Sequence, residues 1–142
     1  MNLKWMSIIL IGTGIAAGCN SAKSKTKDIA TDMCGCFNML KDSLPTEGIK
    51  VFEKAAISDK PQETFTKEMQ SIPVAVAQKV NAALMSTAKP GSAISNCLKE
   101  LDKKYKTNET NQQEMAKKMI DELKDKKGCD IMLALMRMNL KK

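Results

Sequence analysis

From about residue 27 to its end, the chain repeats its apolar side chains every three or four positions and seldom every second one. A period near 3.6 gives a continuous apolar face only on a helix. Ile29, Met33, Cys36, Phe37, Leu40 and Leu44 form one such stripe. Ala, Lys, Glu, Leu and Met recur throughout, all good helix formers. Aromatic residues, which favour strands, are limited to one Trp, one Tyr and three Phe. The pattern predicts an all-α fold.

Breaks in the pattern divide it into helices. The first is expected over about Lys27 to Ser43, ended by Leu44-Pro45, because a residue before proline avoids the helical region. A short helix over Glu47 to Ile57 follows. Ser58 or Asp59 then offers a cap and Pro61 a first helical turn. Phe65, Met69 and Ile72 line the next face, and Pro73 either kinks this helix or restarts it toward Thr87. Lys89-Pro90-Gly91 is a turn, after which Ser92 caps a helix carrying Ile94, Cys97, Leu98, Leu101 and Tyr105. A polar loop over Lys106 to Glu109 leads to a long helix through Met115, Met119, Leu123 and Lys126. Gly128 either ends that helix, with Asp130 capping a last segment to Leu140, or sits within one continuous helix. The expected architecture is a small bundle of five or six helices.

The N-terminus obeys a different rule. Lys4 is the one charged side chain among the first 18 residues. Trp5 to Ala17 is uncharged, with Ile8, Ile9, Leu10, Ile11 and Ile15 as its apolar body. That length suits the apolar part of a signal peptide and falls short of the roughly 20 residues a bilayer span needs. Ala16, Ala17 and Gly18 are small, as a signal peptidase requires, and Cys19 follows at once. Ile15-Ala16-Ala17-Gly18-Cys19 resembles the lipobox of bacterial lipoprotein precursors. The position three before the cysteine is commonly Leu in that family and is Ala16 here. The resemblance implies cleavage before Cys19, a diacylglycerol on its sulfur and a further acyl chain, such as palmitate, on its amine. Residues 1–18 are then a signal peptide, 19–27 a lipidated flexible tether and 28–142 a helical domain. More than one acyl chain makes a lasting anchor, whereas a single chain binds a membrane only marginally. Asn20 follows the cysteine where inner-membrane lipoproteins of some bacteria carry Asp. The expected location is therefore the outer membrane, facing the periplasm. The mature region resembles, in layout alone, small uncharacterised helical lipoproteins with a Cys-x-Cys in the first helix, a likeness that implies no activity.

The five cysteines agree with this reading. Lipid on Cys19 leaves four, Cys34, Cys36, Cys97 and Cys129, an even number for a secreted domain. Cys34 and Cys36 lie about 200° apart around a helix, so a bond between them would distort the backbone. Each is better aimed at a partner elsewhere. Two structural disulfides are expected, with the assignment of Cys97 and Cys129 left open. Two alternatives use the same residues. Cys34-Gly35-Cys36 resembles a minimal thiol–disulfide exchange motif, although no strand pattern offers the sheet on which such pairs usually sit. Four cysteines also make a zinc set, although zinc pairs are usually spaced Cys-x₂₋₄-Cys. Met115, Met119, Met132, Met136 and Met138 are dense enough to suggest Cu(I), but their helical spacing suits core filling better.

Catalysis finds little support. The chain has no His, so the usual general bases and triads are unavailable. It carries no phosphate-cradling glycine loop and no nucleophile elbow. Asp121, Glu122 and Asp125, like Glu100 and Asp102, fall in mixed-charge stretches that read as exposed faces. The mature chain keeps 22 basic against 16 acidic side chains. That excess is modest, interleaved and poor in aromatics, which disfavours nucleic acid as a partner. No catalytic residue, cofactor or metal is expected. The expected partners are a membrane, through lipid on Cys19, and an envelope protein.

Overall fold

A computed structural model of the chain describes residues 22–105 and 112–140. These form seven α-helices: α1 (Ala22–Asn38), α2 (Thr46–Ile57), α3 (Pro61–Ser71), α4 (Val74–Thr87), α5 (Ala93–Tyr105), α6 (Gln112–Leu123) and α7 (Asp130–Asn139). A 3₁₀ turn, Met39–Ser43, extends α1. Among the described residues there is no strand, and no helix long and apolar enough to cross a membrane. The all-α expectation holds.

The helix count does not, and two residues account for the difference. Pro73 starts a new helix rather than kinking one. Ile72 before it is extended (ψ 158°), and the Pro73 carbonyl accepts the Ala77 N–H at 3.0 Å as the first bond of α4. Gly128 stands at φ +86°, a conformation that only glycine adopts without cost, and separates α6 from α7. Five or six expected helices therefore become seven. Most other stops are as the sequence suggests. Leu44, ahead of Pro45, is extended, and Ser92 Oγ accepts the Ser95 N–H at 3.1 Å as the cap of α5. Capping at Ser58 is indirect. Its Oγ accepts the Lys60 N–H and bonds the Thr64 hydroxyl, while α3 itself begins at Pro61.

The start of α1 is a second correction. Residues 22–27, read as part of a flexible tether, are its first turns. The helix continues backward because Thr26, Ile29 and Ala30 are already buried, so packing holds a segment that composition alone leaves open. The expected signal peptide, Cys19 and the expected loop at 106–109 lie outside the described residues.

The core is organised around α7. Ile131, Met132, Leu133, Ala134 and Leu135 are five consecutive buried residues, so this helix is covered on every side. It packs against α1, α2, α3 and α6. Phe52 of α2 and Phe65 of α3 meet beside it with ring centroids 5.2 Å apart. Gly48 lets α4 approach α2 closely. A Cβ at that position would lie 2.5 Å from Val80 Cγ2.

Candidate functional site

Chemistry-bearing side chains gather along α1. Cys34 and Cys36 leave the helix in opposed directions, as the 200° separation requires. Cys34 meets Cys129, the residue before α7, with Sγ atoms 2.02 Å and Cα atoms 5.4 Å apart. Cys36 meets Cys97 of α5, with Cα atoms 5.7 Å apart. Both spacings suit disulfides. Of the two cross-linking patterns the sequence left open, this is the one formed. Cys34, Cys36 and Cys129 are buried, and Cys97 is half-buried.

Cys34 belongs to the apolar core, with polar groups along one side. Asn38 Nδ2 donates weakly to Cys34 Sγ at 3.7 Å. Lys41 Nζ donates to the Gly128 carbonyl at 3.1 Å, tying the glycine break to α1 beside the disulfide. Three residues toward the N-terminus, Lys126 Nζ donates to Thr31 Oγ1 at 2.6 Å.

A second cluster centres on Asp32. Its Oδ2 accepts from Lys104 Nζ and from the Tyr105 hydroxyl, each at 2.7 Å. The ammonium also lies 4.9 Å from the Tyr105 ring centroid. These bonds, that from Lys104 first, hold the Asp32 carboxyl below its ordinary range. The same carboxylate raises the pKa of Tyr105 and of Lys104. The cluster is a surface clamp between α1 and α5. It holds no activated nucleophile, because both potential bases are committed to charge-assisted bonds.

Sequence reading missed this clamp, having assigned Tyr105 to the apolar face of its helix. The signal appears only once Cys36–Cys97 sets α1 and α5 antiparallel. Residues before Cys36 then face residues after Cys97.

The sulfurs of Cys34, Cys36, Cys97 and Cys129 thus form two pairs rather than one cluster. Among the described residues, no three Cys, Asp or Glu side chains are placed to share a metal ion. Met115, Met119 and Met132 are buried core members, and Met136 and Met138 pack against them. An open groove of about 690 Å³ lies between α3 and α7, lined by Lys60, Glu63, Lys67, Gln70, Arg137 and Leu140 among others. Its mixed charges select no evident ligand. Arg137 is held there by a hydrogen bond to the Ala56 carbonyl. Comparison of the chain with protein-family models, curated proteins and solved structures finds no match.

Proposed function

We propose that the mature chain is a lipid-anchored protein of the bacterial cell envelope, a disulfide-stapled helical module that binds a partner rather than catalysing a reaction. The observation that carries this reading is the ordered N-terminal series: Lys4, an uncharged apolar run, Ala16-Ala17-Gly18, then Cys19. Cysteine pairing supports it. Cys34, Cys36, Cys97 and Cys129 are satisfied by one another, which leaves Cys19 as the cysteine available for lipid. Disulfides persist outside the cytosol, in agreement with export. Asn20 favours the outer membrane, on its periplasmic side.

The competing reading, a thiol-redox or soft-metal protein using Cys34-Gly35-Cys36, is weakened because both sulfurs are buried in separate bonds. A binding role also agrees with a chain that lacks histidine, the commonest general base.

The test is metabolic labelling with a fatty acid in cells producing wild-type or Cys19→Ser protein. Label on the wild type alone, and release of the variant from the membrane fraction, are the expected results. A variant that stays bound, or a wild type without label, sinks the lipoprotein reading. Thiol counting on the purified mature protein tests the rest. Two reactive thiols, or stoichiometric zinc or copper, would favour the redox or metal alternative.

A further inference from the structure

α1 begins at Ala22, three residues after Cys19. Three residues of fully extended chain reach no more than about 11 Å. If Cys19 carries the lipid, a reading on which this inference rests, the first turn of α1 stays within that distance of the headgroup layer. The domain cannot float clear of the membrane.

Side-chain bonds identify the end that is held there. α5 runs opposite to α1, since Cys97 early in α5 joins Cys36 late in α1, while Lys104 and Tyr105 at its close reach back to Asp32. α6 runs with α1. Lys126 meets Thr31 and Cys129 meets Cys34, so α6, which precedes both and packs on α1, lies beside its first half. The start of α1, the close of α5 and the start of α6 therefore share one end of the bundle.

That end displays Lys25 and Lys27 from α1, Lys103 and Lys104 from α5, and Lys117 and Lys118 from α6, all exposed. Five acids stand among them: Glu100 and Glu114 bridge Lys103 and Lys118, Asp32 holds Lys104, and Asp28 and Asp102 stand on α1 and α5, so that among the described residues the lysines of this end outside these bridges are Lys25, Lys27 and Lys117. The exposed bridges of Lys103 and Lys118 are weak, so these two lysines can turn to another anion at little cost, while Lys104 stays with Asp32.

We propose that this end is a docking surface for anionic phospholipid headgroups. The lipid on Cys19 supplies the tether, and the lysines of α1, α5 and α6 set the orientation. α2, α3 and α4 are then presented away from the membrane.

The test uses the mature lipidated protein in vesicles of phosphatidylcholine, with and without phosphatidylglycerol. Lysines are acetylated briefly and the sites quantified by mass spectrometry. The N-terminal peptide of the same digest reports whether lipid is attached. On anionic vesicles, Lys25, Lys27 and Lys117 should label at least about threefold more slowly than Lys50, Lys67 and Lys79, and added salt should erase the difference. Reversing charge with Lys25→Glu and Lys27→Glu should restore labelling of Lys117 while lipid attachment persists. Equal labelling of both sets on a protein that carries lipid overturns the docking surface and leaves the lipoprotein reading intact. A digest without lipid mass overturns the lipoprotein reading itself. Equal protection on neutral vesicles, insensitive to salt, overturns the headgroup chemistry.

Discussion

Replacing Cys34 and Cys129 together by alanine removes one of the two cross-links on α1, and its cost follows from the loops those cross-links close. Taken singly, Cys34–Cys129 spans 95 residues and Cys36–Cys97 spans 61. Restriction of the unfolded chain then gives about 4.7 and about 4.3 kcal/mol. The two bonds are not independent, because Cys34 and Cys36 are near neighbours. With Cys36–Cys97 in place, Cys34 reaches Cys129 by a short cut through that bridge. The path is about 34 residues, and the bond is worth about 3.8 kcal/mol. With Cys34–Cys129 in place, two parallel paths link Cys36 to Cys97, and that bond is worth about 3.4 kcal/mol. Losing either bond should therefore cost nearly the same, despite the difference in loop length. Losing both should cost about 8 kcal/mol, most of the stability of an ordinary domain. Guanidinium unfolding of the Cys19→Ser protein, followed by helical circular dichroism, measures each form with and without reductant. A total cost below about 2 kcal/mol would refute the chain-restriction argument. So would a Cys34–Cys129 bond worth more than about twice the other.

Three further outcomes are expected. Gly48→Ala should destabilise by about 1–3 kcal/mol, since its Cβ would meet Val80 Cγ2 at 2.5 Å; an unchanged thermal midpoint would mean that α2 and α4 do not approach as described. The Asp32 carboxyl should titrate below 3.8, its ordinary value, in carbon NMR and move up in Lys104→Gln. Because the folded pKa is the lower one, the stabilisation from Asp32 is present above about pH 4 and is lost as pH falls through the folded value; a titration at or above 3.8 contradicts the clamp. Met132→Ala should cost about 2–5 kcal/mol at a fully buried site, whereas Met132→Leu should cost under about 1.5. Similar losses for both, measured by denaturant unfolding, would point to a role for the sulfur beyond packing.

Helix type was legible almost throughout, because the 3.6 period and the proline and glycine punctuation are local signals. Boundaries at Leu44, Pro61 and Ser92 follow from single residues. Whether Pro73 kinks or restarts a helix is not local. Here α4 starts afresh and closes on Gly48 of α2 through Val80, a contact far away in sequence. The reach of α1 to Ala22 was hidden for a similar reason, since a polar run reads as tether until Thr26 is seen to be buried. At the cysteines, helix geometry excluded a bond between Cys34 and Cys36 but could not choose their partners. That choice is made by which way α5 and α6 run along α1. The Asp32 clamp depends on the same directions, so it too was invisible in the linear pattern.

The position of α7 has a consequence for how the chain is made. The helix that α1, α2, α3 and α6 pack around emerges from the ribosome after all of them. Until residues 131–135 exist, α1, α2, α3 and α6 lack the surface they bury, and Cys34 has no Cys129 to join. Helices α1 to α6 therefore remain without their completed core until α7 is made, the state in which a polypeptide is most easily held extended. Deleting α7 would remove the centre of the described bundle rather than its edge.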